Sequence, residues 1–184
     1  MARHNLHRVY VAQYEVVPDS QQALRAVPAK AVASLNTHDM PPFAAFWQGL
    51  DIQDRLDLGL ITAADITNEK NARETLKESL ARFLEQSGYA VELSTADPEA
   101  VIRAMLRFLL LSPARVVLVN LEDLWLETAQ QNVPGTWHER PNWLRKARLP
   151  FEAFSKAESV VETLLMLSHL HKYSIDEGGQ DGQE

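Results

Sequence analysis

The sequence of 184 residues contains no cysteine. Disulfide bonds, thiolate zinc sites and cysteine nucleophiles are therefore excluded together. Basic side chains are also scarce, since 18 Lys and Arg residues stand against 25 Asp and Glu residues and the formal net charge is −7. Proteins that bind nucleic acid present a basic face to the phosphates, so we expect no nucleic-acid partner.

Long apolar runs are missing as well. No run approaches the roughly 20 residues that a membrane-spanning helix needs, and residues 1–7 contain no apolar core of a signal peptide. We therefore expect no membrane segment and a cytoplasmic location. Hydrophobic residues still make up 46% of the chain, which is typical of a globular protein with a real core.

Three apolar runs predict β-strands, at residues 8–17, 32–35 and 115–121. Helical patterns separate them, and strands that alternate with helices pair in parallel in an α/β fold. Three strands are too few for a barrel or for an open doubly wound sheet, and they leave apolar edges exposed. We therefore expect strands to be missing, either upstream in sequence or on a partner chain, and we expect the isolated chain to self-associate.

The helical segments follow from periodicity and from capping residues. They are predicted at residues 43–47, 51–58, 63–86, 98–111 and 151–173, with one or two helical turns at residues 21–27. The clearest start is Asp97-Pro98-Glu99, which provides a cap, a proline at the first helical position and an acid in the first turn. Residues 174–184 contain three glycines and four acids, and we expect them to form a disordered acidic tail.

The stretch from residue 31 to residue 49 combines a strand, a polar tip and a helix start. The tip is Asn36-Thr37-His38-Asp39, and Pro41-Pro42 follows it. In α/β folds the catalytic residues gather where the strands end. There, Asp39 beside His38 can place negative charge against a developing cation. The alternative is that Asp39 only caps the following helix, which is the more common role of an aspartate in that position.

Four blocks of the sequence carry a resemblance to a known family. The first is Asn36-Thr37-His38-Asp39-Met40-Pro41, with Phe46-Trp47-Gln48-Gly49 after it. The others are Asn120-Leu121-Glu122-Asp123-Leu124, Asn132-Val133-Pro134-Gly135-Thr136 and Pro141-Asn142-Trp143-Leu144-Arg145. In this order and spacing they resemble the 4-α-glucanotransferases, the family of amylomaltase or disproportionating enzyme. The resemblance covers about residues 8 to 155.

The resemblance implies a fold. The family's catalytic domain is a (β/α)8 TIM barrel with insertions, related to the α-amylases. Residues 1–173 are accordingly expected to form the C-terminal part of such a domain, about strands 6 to 8 with helical insertions, followed by the tail at 174–184.

The resemblance also implies a site. Asp39 stands where the family has its third catalytic carboxylate, which stabilises an oxocarbenium-like transition state. His38 stands where the family binds hydroxyls of the transferred sugar. A loop after the last strand is expected to line the substrate cleft with Asn132, Pro134, Gly135 and Thr136. The implied substrate is an α-1,4-glucan (maltodextrin), and no cofactor or metal is expected.

Two catalytic groups of the family are not matched by this sequence. Its nucleophilic aspartate and its acid/base glutamate belong to the fourth and fifth strands, which precede the part seen here. Glu122-Asp123 does not replace them, because it follows the eighth strand and is expected to be structural. Leu144 stands where many members have Arg, and Pro42 stands near a position where many have Thr.

Other aromatic and imidazole side chains are weaker candidates. Trp125, Trp137 and Trp143 can stack on sugar rings, although packing in the core or in the loop is favoured. His169 and His171 are two residues apart on a predicted helix, so they point to different faces and do not share a metal.

Two hypotheses about function follow. In the first, the chain is a fragment of a 4-α-glucanotransferase that transfers α-1,4-glucan segments between maltodextrins by a retaining mechanism. Without nucleophile and acid/base the isolated chain is expected to be inactive, and it needs the missing upstream barrel portion, in cis or as a second chain. In the second, it is a non-catalytic remnant of the barrel that binds glucan or a partner.

Overall fold

Three short parallel strands form one sheet in the computed structural model, which describes residues 6–19 and 21–178. They are β1 (Arg8–Val11), β2 (Ala31–Ser34) and β3 (Val116–Leu118), in that order across the sheet. Val9 pairs with Val32, and Val32 pairs with Val116. The predicted α/β class and the predicted parallel pairing are therefore confirmed.

The first and third strands are shorter than predicted. β1 ends at Val11 because the chain then turns into the short helix α1 (Ala12–Glu15), and the backbone N–H of Gln13 donates to the carbonyl of Leu35 at 2.9 Å. β3 ends at Leu118, and residues Leu121–Trp125 form a 3₁₀ helix instead of continuing the strand.

The helical turns predicted at residues 21–27 are wrong. That segment is bent, and Leu24 makes an isolated antiparallel bridge to Val16. The backbone N–H of Val17 donates to the carbonyl of Ala23 at 2.9 Å, so pairing with the end of the preceding segment takes the place of a local helix.

Four predicted helices are confirmed with small shifts at their ends. They are α2 (Phe43–Gln48), α3 (Leu50–Asp57), α4 (Ile66–Gln86) and α5 (Pro98–Leu110). Gly49 separates α2 from α3 with a φ of 73°, a left-handed conformation that glycine adopts without strain. It therefore ends one helix and lets the next begin at once.

The helix predicted at residues 151–173 is divided in two. α6 (Phe151–Phe154) is a single turn, and α7 (Glu158–Gly178) begins after a short break. α7 continues past Tyr173 into the segment predicted as a tail. The rest of that segment, residues 179–184, lies outside the described residues.

Helix α5 forms the centre of the core. The side chain of Asp97 accepts hydrogen bonds from the backbone N–H groups of Glu99 at 3.0 Å and Ala100 at 3.1 Å, as the predicted cap requires. Every residue of α5 that was predicted to face inward is buried: Val101, Ile102, Met105, Leu106, Phe108 and Leu109. α5 contacts α2, α4 and α7, so it joins the helical layer into one unit.

The two faces of the sheet have different surroundings. Tyr10, Ala31 and Ala33 are buried in one cluster with residues of α4, α5 and α7. On the opposite face Val9 is 75% exposed and Leu118 is 51% exposed. We call this second face, made by Val9, Val32, Val116 and Leu118, the open face.

Within residues 6–19 and 21–178, none of the helices combines the length and the apolar character needed to cross a membrane. The side chain of His171 lies outside the part of the chain whose side chains are described. Among the described residues, no cluster of three or more His, Asp or Glu side chains is arranged to hold a metal ion.

Candidate active site

The candidate site lies where β2 and β3 end. Parallel strands bring their carboxyl ends to the same edge of the sheet, so the tip after β2 meets the segment after β3. The side-chain amide of Asn120 donates to the backbone carbonyl of Asn36 at 3.4 Å and also to the side-chain oxygen of Asn36. Two polar segments 84 residues apart in sequence are thereby joined.

Asp123 holds both ends of the segment that contains the tip, from Asn36 to Phe43. Its Oδ1 accepts one hydrogen bond from the side-chain amide of Asn36 at 3.0 Å and another from the backbone N–H of Phe43 at 3.1 Å. Asn36 begins the tip and Phe43 begins α2, so a single carboxylate oxygen fixes the entry and the exit of residues 36–43. This agrees with the structural role that the sequence predicts for Asp123.

Asp123 is only 3% exposed. Burial raises its pKa to about 6, although the hydrogen bonds from Phe43 and Asn36 act in the opposite direction. The charge of Glu122 adds a smaller upward contribution. The Oδ2 atom is buried and makes no hydrogen bond to the described residues. An ionised Asp123 is therefore costly in this position, and a proton is held there more tightly than in water.

Asp39 does not cap helix α2. The capping position is Pro42, whose side chain makes no capping hydrogen bond, and the first helical N–H, that of Phe43, donates to Asp123 instead. The carboxylate of Asp39 is half exposed, and its Oδ1 accepts a hydrogen bond from the side-chain amide of Asn132 at 2.6 Å. The alternative that the sequence leaves open for Asp39, a cap of the following helix, is therefore wrong.

His38 lies directly beside Asp39. Its Nε2 is 3.3 Å from Oδ1 of Asp39, and its ring centroid is 5.1 Å from that of Trp143. The imidazole is exposed. An exposed imidazole next to a carboxylate can donate or accept a hydrogen bond from a polar ligand.

The loop after the 3₁₀ helix is closed by bonds of its own. Asn142 accepts from the backbone N–H of Val133 at 2.9 Å and donates to the hydroxyl of Thr136 at 2.9 Å. That hydroxyl donates to the carbonyl of Val133 at 2.7 Å, and Gly135 adopts a φ of 83° at the turn. The two sequence blocks at residues 132–136 and 141–145 thus form one folded loop.

This loop is anchored to the body of the protein. The guanidinium of Arg140 donates to Asp54 on α3, with 2.9 Å between Nε and Oδ1. Gln131 donates through its side chain to Glu122 at 2.6 Å. The loop is therefore anchored at Gln131, next to Asn132, and again at Arg140, between its two sequence blocks.

The predicted site residues separate into two groups. His38, Asp39 and Asn132 come together. Pro134, Gly135 and Thr136 lie further along the loop, where the hydroxyl of Thr136 is used to close it.

Three tryptophans are candidates either for stacking on a sugar or for packing within the protein, and they differ in burial. Trp125 is buried and packs on Phe154 with 5.4 Å between ring centroids. Trp137 and Trp143 are 80% and 60% exposed. The preference for packing is therefore confirmed for Trp125 only.

A groove of about 540 Å³ runs from the sheet to the strand ends. Its apolar end lies on the open face and includes Val9, Val32 and Leu118. Its polar end lies at the strand ends and includes His38 and Gln131. The groove thus leads from the uncovered side of the sheet to His38, the member of the candidate site that lines it.

Sequence reasoning does not pair Asn36 with Asn120 or with Asp123. These contacts span 84 to 87 residues, so no local pattern reveals them. The available signal is that all three residues follow the ends of strands predicted to be parallel, and such ends meet at one edge.

The comparisons with known proteins agree with the resemblance. A sequence model of the family described as 4-alpha-glucanotransferase matches residues 1–151. The 4-alpha-glucanotransferase of Mycobacterium tuberculosis (strain ATCC 25618 / H37Rv) is 33% identical over 112 residues, which is 61% of this chain and 15% of that protein. The 4-alpha-glucanotransferase of Haemophilus influenzae (strain ATCC 51907 / DSM 11121 / KW20 / Rd) is 28% identical over 145 residues, 76% of this chain and 21% of that protein. The chain therefore spans about a fifth or less of the length of these curated relatives.

A solved structure is also similar. The crystal structure of amylomaltase from Corynebacterium glutamicum matches with a TM-score of 0.57 at 21% identity, over 77% of this chain and 22% of that one. At this identity the match supports the fold alone. The family match over residues 1–151 covers well over half of the sequence, and the chain belongs to the 4-alpha-glucanotransferase family.

Proposed function

We propose that this chain is the C-terminal part, about strands 6 to 8, of the (β/α)8 catalytic domain of a 4-α-glucanotransferase, with residues 1–173 in that domain. The observation that carries the proposal is the meeting of three predicted site residues in a chain of this family. Asp39, His38 and Asn132 lie together at the carboxyl ends of parallel strands, the end at which TIM-barrel enzymes have their active sites.

The proposed reaction is the transfer of α-1,4-glucan segments between maltodextrins with retention of configuration. Such chemistry needs a nucleophilic carboxylate and an acid/base carboxyl about 5 to 5.5 Å apart. Asp39 is neither of these. Its charge faces the oxocarbenium-like transition state, and the amide of Asn132 at 2.6 Å holds the carboxylate in one orientation. A charge oriented beforehand stabilises the transition state without reorganisation.

His38 and the loop supply binding in this proposal. The exposed imidazole of His38 contacts hydroxyls of the sugar that is transferred. Asn132, Pro134, Gly135 and Thr136 line the cleft, and the bonds between Asn142 and Thr136 keep this wall rigid. A rigid wall lowers the entropy that is lost when the glucan binds.

The open face supports the proposal that further strands are needed to complete the barrel. The interior of a (β/α)8 barrel is packed with side chains from alternate strands. Val9, Val32 and Leu118 belong to such an interior when further strands pair with the outer edges of β1 and β3. These strands, with the nucleophile and the acid/base, come from an upstream barrel portion in cis or as a second chain. The isolated chain is then inactive.

The open face also favours a second candidate function. A non-catalytic remnant of the barrel that binds a partner protein or a glucan needs no nucleophile, and an uncovered apolar surface of this kind marks an interaction site. The two functions predict different results for the completed assembly: the enzyme transfers glucan, and the non-catalytic remnant does not.

The test compares the 184-residue chain alone with the same chain joined to, or co-expressed with, an upstream barrel portion of a family member. Each preparation is incubated with maltotriose, and the products are separated by chain length. We expect no products from the chain alone, and glucose with longer maltodextrins from the complete assembly. Asp39→Asn in the complete assembly is the matched control.

Two outcomes contradict the proposal. Transfer by the isolated chain contradicts the need for further strands. A stable assembly that binds maltotriose and does not transfer glucan contradicts the proposed enzyme activity and supports the non-catalytic alternative.

A further inference from the structure

Trp143 has an unusual backbone conformation for a large side chain. Its φ is 60°, in the left-handed region, which is unfavourable for a residue with a Cβ. The backbone N–H of Trp143 donates to the carbonyl of Gln131 at 2.8 Å, and the neighbouring Asn142 bonds to Val133 and Thr136. The folded loop thus holds Trp143 in a conformation that its own sequence disfavours.

The indole ring of Trp143 stands beside the polar groups of the candidate site. It lies 5.1 Å from the ring of His38, tilted by 54°. His38 in turn contacts Asp39, which is bonded to Asn132. Because Trp143 remains 60% exposed, its contact with His38 leaves most of the ring surface open. An apolar ring and a set of hydrogen-bonding groups therefore share one small area.

Two other tryptophans differ from Trp143 in burial and in their aromatic neighbours. Trp47 is buried and stacks on Phe43 with 5.5 Å between centroids, and its indole N–H donates to Thr95. Trp137 is more exposed than Trp143, and its aromatic neighbour is His138, the next residue in the chain. Trp143 is neither a core residue nor remote from the candidate site.

This combination matches the chemistry of a pyranose. A glucose ring has an apolar face of C–H groups and an edge of hydroxyls. An aromatic ring covers the face and removes apolar surface from water, while carboxylate, amide and imidazole groups bond to the hydroxyls. We propose that Trp143 is a glucan-binding residue, whose ring stacks on a glucose unit next to the unit that His38 contacts.

The inference rests on the proposed function for the identity of the ligand, but it concerns binding rather than transfer. The other candidate for the ring surface is a side chain from the missing barrel portion. In that case Trp143 contributes to assembly and not to sugar affinity. The experiment separates these two roles.

The first measurement is a titration of the full 184-residue chain with maltotriose, followed by NMR of the ¹⁵N-labelled indole N–H groups. The signal of Trp143 is assigned by its loss in Trp143→Phe, and that of Trp137 by its loss in Trp137→Phe. We expect a saturable shift of the Trp143 signal. The Trp137 signal is expected to shift little. A Trp143 signal that does not respond to maltotriose overturns the proposal.

The second measurement uses variants. Trp143→Gly removes the ring and favours the same left-handed backbone, so it separates the ring from the loop conformation. We expect it to weaken the affinity for maltotriose about tenfold, as the loss of a buried aromatic contact does, and Trp143→Phe to restore part of the loss. Trp137→Gly is the matched control and is expected to bind as the wild type does. Unchanged affinity in Trp143→Gly overturns the proposal.

In the complete assembly the same variant distinguishes this inference from the proposed function. We expect Trp143→Gly to raise the KM for maltotriose and to leave kcat nearly unchanged, as loss of uniform binding does. Transfer with an unchanged KM overturns the role of Trp143 and leaves the proposed enzyme intact. Binding that depends on Trp143 without transfer supports the inference and contradicts the enzyme. Weaker assembly at constant sugar affinity assigns the ring to the protein interface and overturns the inference.

Discussion

The two faces of one small sheet have opposite surroundings in this protein. Tyr10 and Ala33 are buried beneath α4, α5 and α7, whereas Val9 and Val116 on the other face are exposed. Both faces are apolar. A parallel sheet is normally covered on both sides, so the difference shows that the described residues complete only one of the two layers that such a sheet requires.

The comparison also separates stability from function. The covered face and its helices form the core that folds this chain. The strand ends beside the open face carry the tip with His38 and Asp39, and these two residues and Trp143 are exposed. Substitutions on the two sides are therefore expected to have different consequences, and the predictions below use matched pairs to test this.

The largest effect on stability is expected on the covered side. Leu109 on α5 is fully buried, and Leu109→Ala is expected to lower the free energy of unfolding by about 2–5 kcal/mol, through lost burial and a cavity. Leu165→Ala on α7 is the control, because Leu165 is largely exposed, and it is expected to change stability by about 0.5 kcal/mol or less. Urea unfolding of both variants provides the measurement. Equal losses in the free energy of unfolding would contradict the expected difference between the covered and the exposed side.

The next effect concerns Asp123, which connects the core to the tip. Its pKa is raised from 3.8 to about 6 in the folded protein, so the folded state binds the proton more tightly than the unfolded state. The stabilisation by this proton is complete below about pH 4 and is lost as the pH rises through 6. With each pKa unit equivalent to about 1.36 kcal/mol, the loss is about 3 kcal/mol.

Asp123→Asn tests this pH dependence. Asparagine keeps an acceptor for Asn36 and for the N–H of Phe43 but does not titrate. We expect the free energy of unfolding of the wild type to fall relative to that of the variant between pH 4 and pH 7, as measured by urea unfolding at a series of pH values. Parallel curves for the two proteins would show that Asp123 keeps an ordinary pKa.

Two neighbouring valines on β3 give the most direct comparison of the faces. Val117 packs against the core, and Val116 lies on the open face. Threonine has nearly the shape of valine but adds a hydroxyl, which is costly to bury without a partner. Val117→Thr is expected to lower stability by about 1–3 kcal/mol, and Val116→Thr by less than about 0.5 kcal/mol. The opposite order in urea unfolding would mean that the wrong face has been assigned to the core.

The smallest effect on stability is expected at Val9, the most exposed residue of the open face. Val9→Lys is expected to change the free energy of unfolding of the monomer by less than about 0.5 kcal/mol, while it reduces self-association, because a charge on an exposed edge opposes pairing. Tyr14→Lys is the control, since Tyr14 is exposed outside the open face. Sedimentation at several concentrations measures association, and a wild-type chain that is monomeric throughout would refute the expectation.

The parts of the fold that the sequence predicts are those specified by local signals. The cap at Asp97-Pro98 and the apolar period of α5 lie within a few turns of one another, and both are confirmed. The strand predicted at residues 8–17 is longer than β1, because the chain leaves the strand where Gln13 bonds to Leu35, a contact that no neighbouring residue reveals.

The candidate site shows the same division. The tip at residues 36–39 and the block at 132–136 are visible as motifs, because both are contiguous in the sequence and resemble blocks of the family. The role of Asp123 at both ends of the tip depends on contacts across 80 and 87 residues. The exposure of Trp143 likewise depends on how the loop folds, so the sequence left its role open.

The most direct test of the account is the kcat of Asp39→Asn in the complete assembly, measured beside its melting curve. Asp39 does not cap α2, so the variant is expected to melt as the wild type does. In the proposed role the charge of Asp39 faces the transition state, and asparagine removes that charge. The loss of such a group is expected to lower kcat by about 10² to 10³. A folded Asp39→Asn assembly with nearly wild-type kcat would contradict the role of Asp39, and with it the central claim.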